Sequence, residues 1–289
     1  MFNNELWQKP TGGASGGNFY THQIANSCRF LLANSSYMHR TPSSAGNRRT
    51  WTFSTWIKRT KFDINTSFFG ATRSGYENVF RFDDEDNVER LNTFGFTGAS
   101  TDFNVKTTAS YRDPSAWMHI VIAMDTTQGT ASNRLKLYVN GEQQTDLANN
   151  TYPSQNYDTN VNDTSTQTQV GFGSYGGQYF DGYMAESVLI DGTQYAASDF
   201  GETKNGVWIP KDPSSLTFGT NGFYLKYESS SNLGNDSSGN NNDLTVSGLS
   251  AHDQLLDSPT FGSSNGGNFA TLNPLSSSPD NILTEGNLK

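Results

Sequence analysis

Short runs in which apolar side chains recur at every second position, each closed by a Gly- or Asn-rich turn, decide what this chain can fold into. In Arg134 to Val139, Leu135, Leu137 and Val139 alternate with Arg134, Lys136 and Tyr138. The run stops at Asn140-Gly141, a dipeptide that favours a type I′ turn and so predicts a hairpin. Thr50 to Lys58 sets Trp51, Phe53, Thr55 and Ile57 against Thr52, Ser54, Trp56 and Lys58, a largely apolar face against a mixed one. In Trp117 to Asp125, Met118, Ile120, Ile122 and Met124 lie on one face and Trp117, His119, Val121 and Ala123 on the other, which predicts a central, heavily buried strand.

Asn78 to Phe82 and Thr93 to Phe96 read as further strands, and Gln169 to Gly173 and Gly182 to Ile190 as two more across a Tyr175-Gly176-Gly177-Gln178 turn. Only Ala196 to Glu202 suits a helical turn. Many short strands without helical crossovers imply an all-β antiparallel jelly-roll sandwich rather than a parallel α/β sheet.

Composition narrows the partners. A chain of 289 residues with 13% aromatic side chains can build a real core, and its formal net charge of −9 works against a phosphate-binding surface. Nucleic acid is therefore not an expected partner. The single cysteine, Cys28, sits in the run Cys28-Arg29-Phe30-Leu31-Leu32 and reads as a small buried hydrophobe. Met1 to Thr11 has an acidic Glu5, a Pro10 and no apolar core of a signal segment, and Ile120 to Met124 is too short to span a bilayer, so no membrane insertion is expected.

The expected organisation is an extended N-terminal arm over 1–26, a sandwich over 27–200, a β segment over 201–260 that either closes the sandwich or flanks it, and an extended tail over 261–289. In the arm, Phe2, Leu6 and Trp7 precede a glycine-rich joint, and Phe19 and Tyr20 follow it. These five aromatic and aliphatic residues are candidate assembly contacts on a neighbouring subunit, with a frayed terminus as the alternative. The tail suits either a strap across a neighbour or a lead into further domains.

Little in the sequence suggests catalysis. Glycoside hydrolysis needs two carboxylates facing one sugar. In Glu85-Asp86-Asn87-Val88-Glu89, the first two carboxylates would fall on opposite faces of a strand. Asp83, Asp84 and Asp86 could instead hold Ca²⁺ at a loop rim or form a solvated acidic turn, with Asp125 a second candidate ligand. His22, His39, His119 and His252 show no metal-ligand spacing, and His119 is expected to pack beside Trp117. Loop aromatics such as Tyr152, Tyr157, Tyr175 and Tyr179 suit stacking on sugar rings or ordinary packing equally. Tyr175, Gln178 and Tyr179 are the candidate carbohydrate contact.

Four pieces in order, Phe53-Ser54-Thr55-Trp56-Ile57, Trp117-Met118-His119-Ile120-Val121, Leu135 to Gly141 and Phe180-Asp181-Gly182-Tyr183-Met184-Ala185, resemble the laminin-G-like, concanavalin-A-like sandwich. A narrower resemblance is to tail-fibre and other virion proteins of tailed bacteriophages, notably marine ones. It rests on Arg40 to Arg48, Asp199 to Glu202, Asn221 to Leu225, Asp236 to Asn240 and Asp257 to Thr260. That resemblance implies a non-enzymatic virion protein without a cofactor, a tail fibre or appendage component that assembles with other virion proteins. Homotrimers and host-surface glycans are its implied partners. A head decoration protein or a free-standing lectin module is the alternative.

Overall fold

The computed structural model describes residues 19–98, 100–173, 176–261, 267–276, 283 and 286–287. The alternating runs become β1 (Ser27–Phe30), β2 (Tyr37–Arg40), β3 (Thr50–Arg59), β4 (Thr66–Arg73), β5 (Tyr76–Glu85), β6 (Val88–Thr97), β7 (Thr101–Ser110) and β8 (Met118–Asp125). A single helical turn, α1 (Ala131–Arg134), leads into β9 (Leu135–Val139), β10 (Glu142–Gln143), β11 (Leu147–Thr151), β12 (Gln167–Val170) and β13 (Gly182–Asp191). Then follow β14 (Gly201–Lys204), β15 (Val207–Pro210), β16 (Phe223–Leu225), β17 (Thr245–Ser247) and β18 (Gln254–Leu255). Among the described residues no helix is long and apolar enough to cross a membrane.

Two 8-stranded antiparallel sheets face each other. The first runs β10-β9-β8-β3-β13-β1-β18 with β16 also on β13, and the second runs β11-β7-β6-β5-β4-β12-β2-β17. The strands after Asp199 thus add to edges of both sheets, while β14 and β15 form a separate hairpin. The turn expected at Asn140-Gly141 is present, with positive φ at both residues (49° and 85°) as type I′ demands.

One expected hairpin is not formed. β12 pairs with β4 and β2 in the second sheet, whereas β13 pairs with β3 and β1 in the first, so the intervening loop crosses between sheets. Turn residues report a change of direction and say nothing about which sheet receives the next strand.

Aromatic side chains fill the space between the sheets. Phe53 stacks on Phe69 with ring centroids 3.9 Å apart, and Trp51 meets Phe80 edge-on at 5.6 Å. Such pairs each add about 0.5–1.5 kcal/mol beyond the area they bury. Cys28 lies fully buried in this core, as expected of a small hydrophobe.

The outer face of the first sheet is also buried, which the sequence pattern did not disclose. Val121, Val188, Ile190 and Tyr224 pack there against Ala197, Phe200 and Phe218 of the segment after β13. His119 does not pack beside Trp117 as expected. It lies in a stack between Trp56 (4.8 Å) and Trp208 of β15 (6.0 Å), accepts from Trp208 Nε1 on Nδ1 and meets Ser54 Oγ through Nε2. Complete burial pushes its pKa down to about 3, so the ring is neutral at pH 7.

Both ends of the chain strap this layer. Ile24 is buried and exchanges hydrogen bonds with the Thr260 hydroxyl, and Phe19 meets Tyr20 edge-on beneath Lys204 of the β14–β15 hairpin. Phe2, Leu6 and Trp7 lie outside the described residues. At the other end Lys58 holds Asn268 and Phe269, while Tyr183 donates to the Gly286 carbonyl.

His22 Nε2 lies 2.6 Å from Oε1 of Glu186, which sits at a bulge in β13. Burial pulls the His22 pKa down, but the hydrogen bond and charge of Glu186 outweigh it and the net shift is upward from 6.5. A pKa raised on docking stabilises the docked arm fully below the undocked value and loses that contribution as pH rises through the docked one. Amide exchange of residues 19–26, corrected for intrinsic pH dependence, should therefore speed up above about pH 6.5. In His22→Gln that pH step should vanish.

Candidate functional site

The carboxylates expected to share a cation are separated by the strand pleat and a turn. Asp83 points away from the core, where it pairs with Arg81 (3.3 Å) and Lys106 (2.7 Å). Its neighbour Asp84 turns the other way and gathers with Asp63 and Glu89, their ligand atoms within 4.8 Å of one another. Asp86 belongs to neither group. It and Asn87 are the two positive-φ residues (60° and 58°) of the turn joining β5 to β6, so Glu85 to Glu89 is a hairpin rather than one strand. Asp125 accepts from Thr50, Thr127 and Gln128, and these bonds outweigh burial to lower its pKa, as befits a turn cap.

Planar side chains concentrate on the outer face of the second sheet. Opposed residues share a face, and the row His39, Gln169, Gly70, Val79, Phe94, Asn104 crosses it from β2 to β7. Their chain neighbours Met38, Val170, Phe69, Phe80 and Val105 point into the core instead. Among the described residues no buried apolar cluster covers this outer face, unlike that of the first sheet.

Onto this row folds the loop that crosses between sheets. A Cβ on Gly70 would stand 2.4 Å from Gly173 Cα, so glycines let the loop backbone rest directly on β4. There Tyr179 stacks on Phe172 (4.5 Å), both rings meet Tyr37 (5.9 and 5.6 Å), and Tyr37 stacks on His39 (5.2 Å). All four rings are partly exposed. Gln178 Oε1 accepts from Arg81 Nη1 at 3.1 Å, and Arg81 in turn lies over the Phe94 ring.

The polar groups beside the rings are held in place. Gln169 donates to Gln167, whose amide nitrogen lies 2.9 Å from His39 Nδ1. Burial lowers the His39 pKa, so at pH 7 the ring is neutral, accepts the amide proton on Nδ1 and carries its own on Nε2. The result, among the described residues, is a fixed set of rings and amides beside the Arg81 guanidinium.

Of the expected sugar contacts, Gln178 and Tyr179 join this cluster and Tyr175 lies outside the described residues. Tyr152 and Tyr157 pack against the core instead. Tyr157 meets Phe103 edge-on and donates to Asp102, and burial raises its phenol above the usual range. Sequence reasoning missed Tyr37, His39, Phe172 and Arg81. The signal was present in the i, i+2 spacing of Tyr37 and His39, but four residues are too few to establish a strand face.

The two packed antiparallel sheets define a jelly-roll sandwich. The chain belongs to the laminin-G-type family described as the concanavalin A-like lectin/glucanases superfamily, which matches residues 32–197.

Similar solved structures include a proposed carbohydrate-binding protein of Bacteroides ovatus, 17% identical with a TM-score of 0.52 over 79% of this chain and 61% of that one. Tailspike protein 2 of bacteriophage CBA120 is 11% identical with a TM-score of 0.41 over 60% of this chain and 26% of that one. A pentraxin of Limulus polyphemus is 12% identical with a TM-score of 0.43 over 60% and 78%. The chain thus spans less than two thirds of the Bacteroides and tailspike proteins. No curated protein sequence matches it.

Proposed function

We propose that this protein is a non-enzymatic glycan-recognition module and that the face built from Tyr37, His39, Phe172, Gln178 and Tyr179 is its contact surface. The carrying observation is that these rings are contiguous on a sheet face that, among the described residues, no other layer covers. Aromatic faces stack on the C–H faces of sugar rings, and adjacent amides supply directional hydrogen bonds. The nearby carboxylates Asp83 and Glu85 both bind Lys106, whose pKa is raised because their hydrogen bonds outweigh burial. Two carboxylates tied to one ammonium are poorly placed to act as the acid and base of glycoside cleavage.

The setting we propose is a virion appendage assembled with other virion proteins and further copies of this chain, on the strength of the sequence resemblance to phage fibre proteins. On a glycan array the full chain should bind a defined subset of glycans and release no reducing sugar from them. Tyr179→Ala should weaken that binding about tenfold, the loss of one stacking ring. Wild-type affinity in Tyr179→Ala, or no bound glycan at all, would overturn the proposal.

A further inference from the structure

On the far side of the molecule an open groove of about 690 Å³ lies between the sandwich and the β14–β15 hairpin. This volume falls in the range of small-molecule sites. One wall comes from the end of β7, the loop after it and the β9–β10 turn, and the other from Thr203, Gly206, Val207 and Trp208 of the hairpin. The hairpin lies beyond the family-matched residues 32–197, so the groove is a product of this chain's own third layer.

Three tryptophans line it, and two are fixed by their edges. Trp117 Nε1 donates to Asp257 at 2.8 Å and Trp208 Nε1 to His119 at 3.1 Å. With their N–H groups committed, these indoles have only carbon faces to offer a ligand. Trp208 is further locked by glycine, since a Cβ on Gly141 or Gly201 would stand 2.4 Å from its ring. Around the indoles, Gln144 is oriented by Tyr111 and by the Glu142 carbonyl, and Asn140 by the His119 amide. Thr203 and the Glu142 carboxylate stand exposed at the rim.

We infer that this groove is a second ligand site and that it takes an uncharged pyranose ring. Among the described residues no Lys, Arg or His lines it and Glu142 is its one charged group, which disfavours anions. An organic cation would suit the indoles and Glu142 but would leave Asn140, Gln144 and Thr203 without use, because a quaternary ammonium forms no hydrogen bonds. A sugar satisfies both sets, placing an apolar C–H face on indole and hydroxyls on amide, hydroxyl and carboxylate. This inference stands on the groove alone and does not need the open face of the second sheet to bind anything.

The test follows the indole Nε1–H resonances of Trp117 and Trp208 in the full chain, titrated with methyl glucoside, galactoside and mannoside up to about 50 mM, a range suited to one weakly held ring. At least one pyranoside should shift both resonances saturably. Ala109→Trp, which fills the groove from an exposed position on β7, should abolish the shift and leave array binding by the Tyr179 face unchanged. Should Ala109→Trp fail to fold, Thr203→Trp blocks the opposite wall with the same expected result. The inference is overturned by unmoved indoles with all three pyranosides, by an undiminished shift in the filled variant, or by saturable binding of choline in place of the sugars.

Discussion

Arg59→Ala should lower the melting temperature by roughly 10 °C, the largest loss expected of any single substitution outside the aromatic core. Arg59 leaves the end of β3 and enters the sandwich beside Glu89 of β6, and both side chains are 0% exposed. The guanidinium lies 2.7 Å from Glu89, donates to the carbonyls of Tyr111 and Lys61, and sits over the rings of Phe82 and Phe62. Burial lowers the Arg59 pKa and Glu89 opposes that fall. Truncating the arginine leaves a buried carboxylate without its cation, a change that costs about 3–5 kcal/mol, whereas replacing both partners by apolar groups is often close to neutral. Arg59→Met combined with Glu89→Leu should therefore recover most of the lost stability. Calorimetry of the two variants checks the pair, and a fall of less than about 2 °C in Arg59→Ala would contradict this reading.

Lys58→Ala should act locally rather than globally. The Lys58 side chain is also 0% exposed, but it points to the opposite face, where its ammonium holds Asp257 (2.9 Å), Asn268 (2.8 Å) and the Phe269 carbonyl (2.6 Å). Without it Asp257 keeps Trp117 Nε1 as its donor and loses its cation. The strap around Asp257 should then open at least a hundredfold more often, given the several kcal/mol at stake, while the sheets retain their packing. Hydrogen exchange should show protection lost at residues 254–261 and 267–276 and kept in β3, β8 and β13. Unchanged protection in the strap would refute the assignment.

The adjacent residues Lys58 and Arg59 show what was legible in the sequence and what was not. Alternation along β3, β8 and β9 announced strands and one core face correctly, because a period of two follows from the pleat alone. It could not announce that the mixed face of β3 would be buried as well. That burial comes from Ile24 and Trp208 against Trp56 and from Asp257 against Lys58, residues far off in the chain whose destinations no local pattern encodes. For the same reason His119 was paired with its neighbour Trp117, whereas its partners Trp56 and Trp208 come from another strand and from the hairpin.

The candidate site was half legible. Tyr179 and Gln178 stood out as a glycine-flanked polar aromatic loop. Their partners Tyr37 and His39 reach them only because Gly70 and Gly173 let the loop rest on the sheet. The acidic run misled in a different way. Asp83, Asp84 and Asp86 suggested one cation site, but Asp86 makes the turn together with Asn87, and the pleat sends Asp83 and Asp84 to opposite sides.

The central claim is that glycans meet this protein on the open face of the second sheet. The most direct measurement is a hydrogen-exchange footprint of the full chain with and without the tightest glycan from the array. Slowed exchange in residues 36–40, 167–173 and 176–180, with β16 and β18 unaffected, is the predicted result. A footprint confined to the third layer or to the chain ends, with the Tyr37–Tyr179 face unchanged, would contradict it.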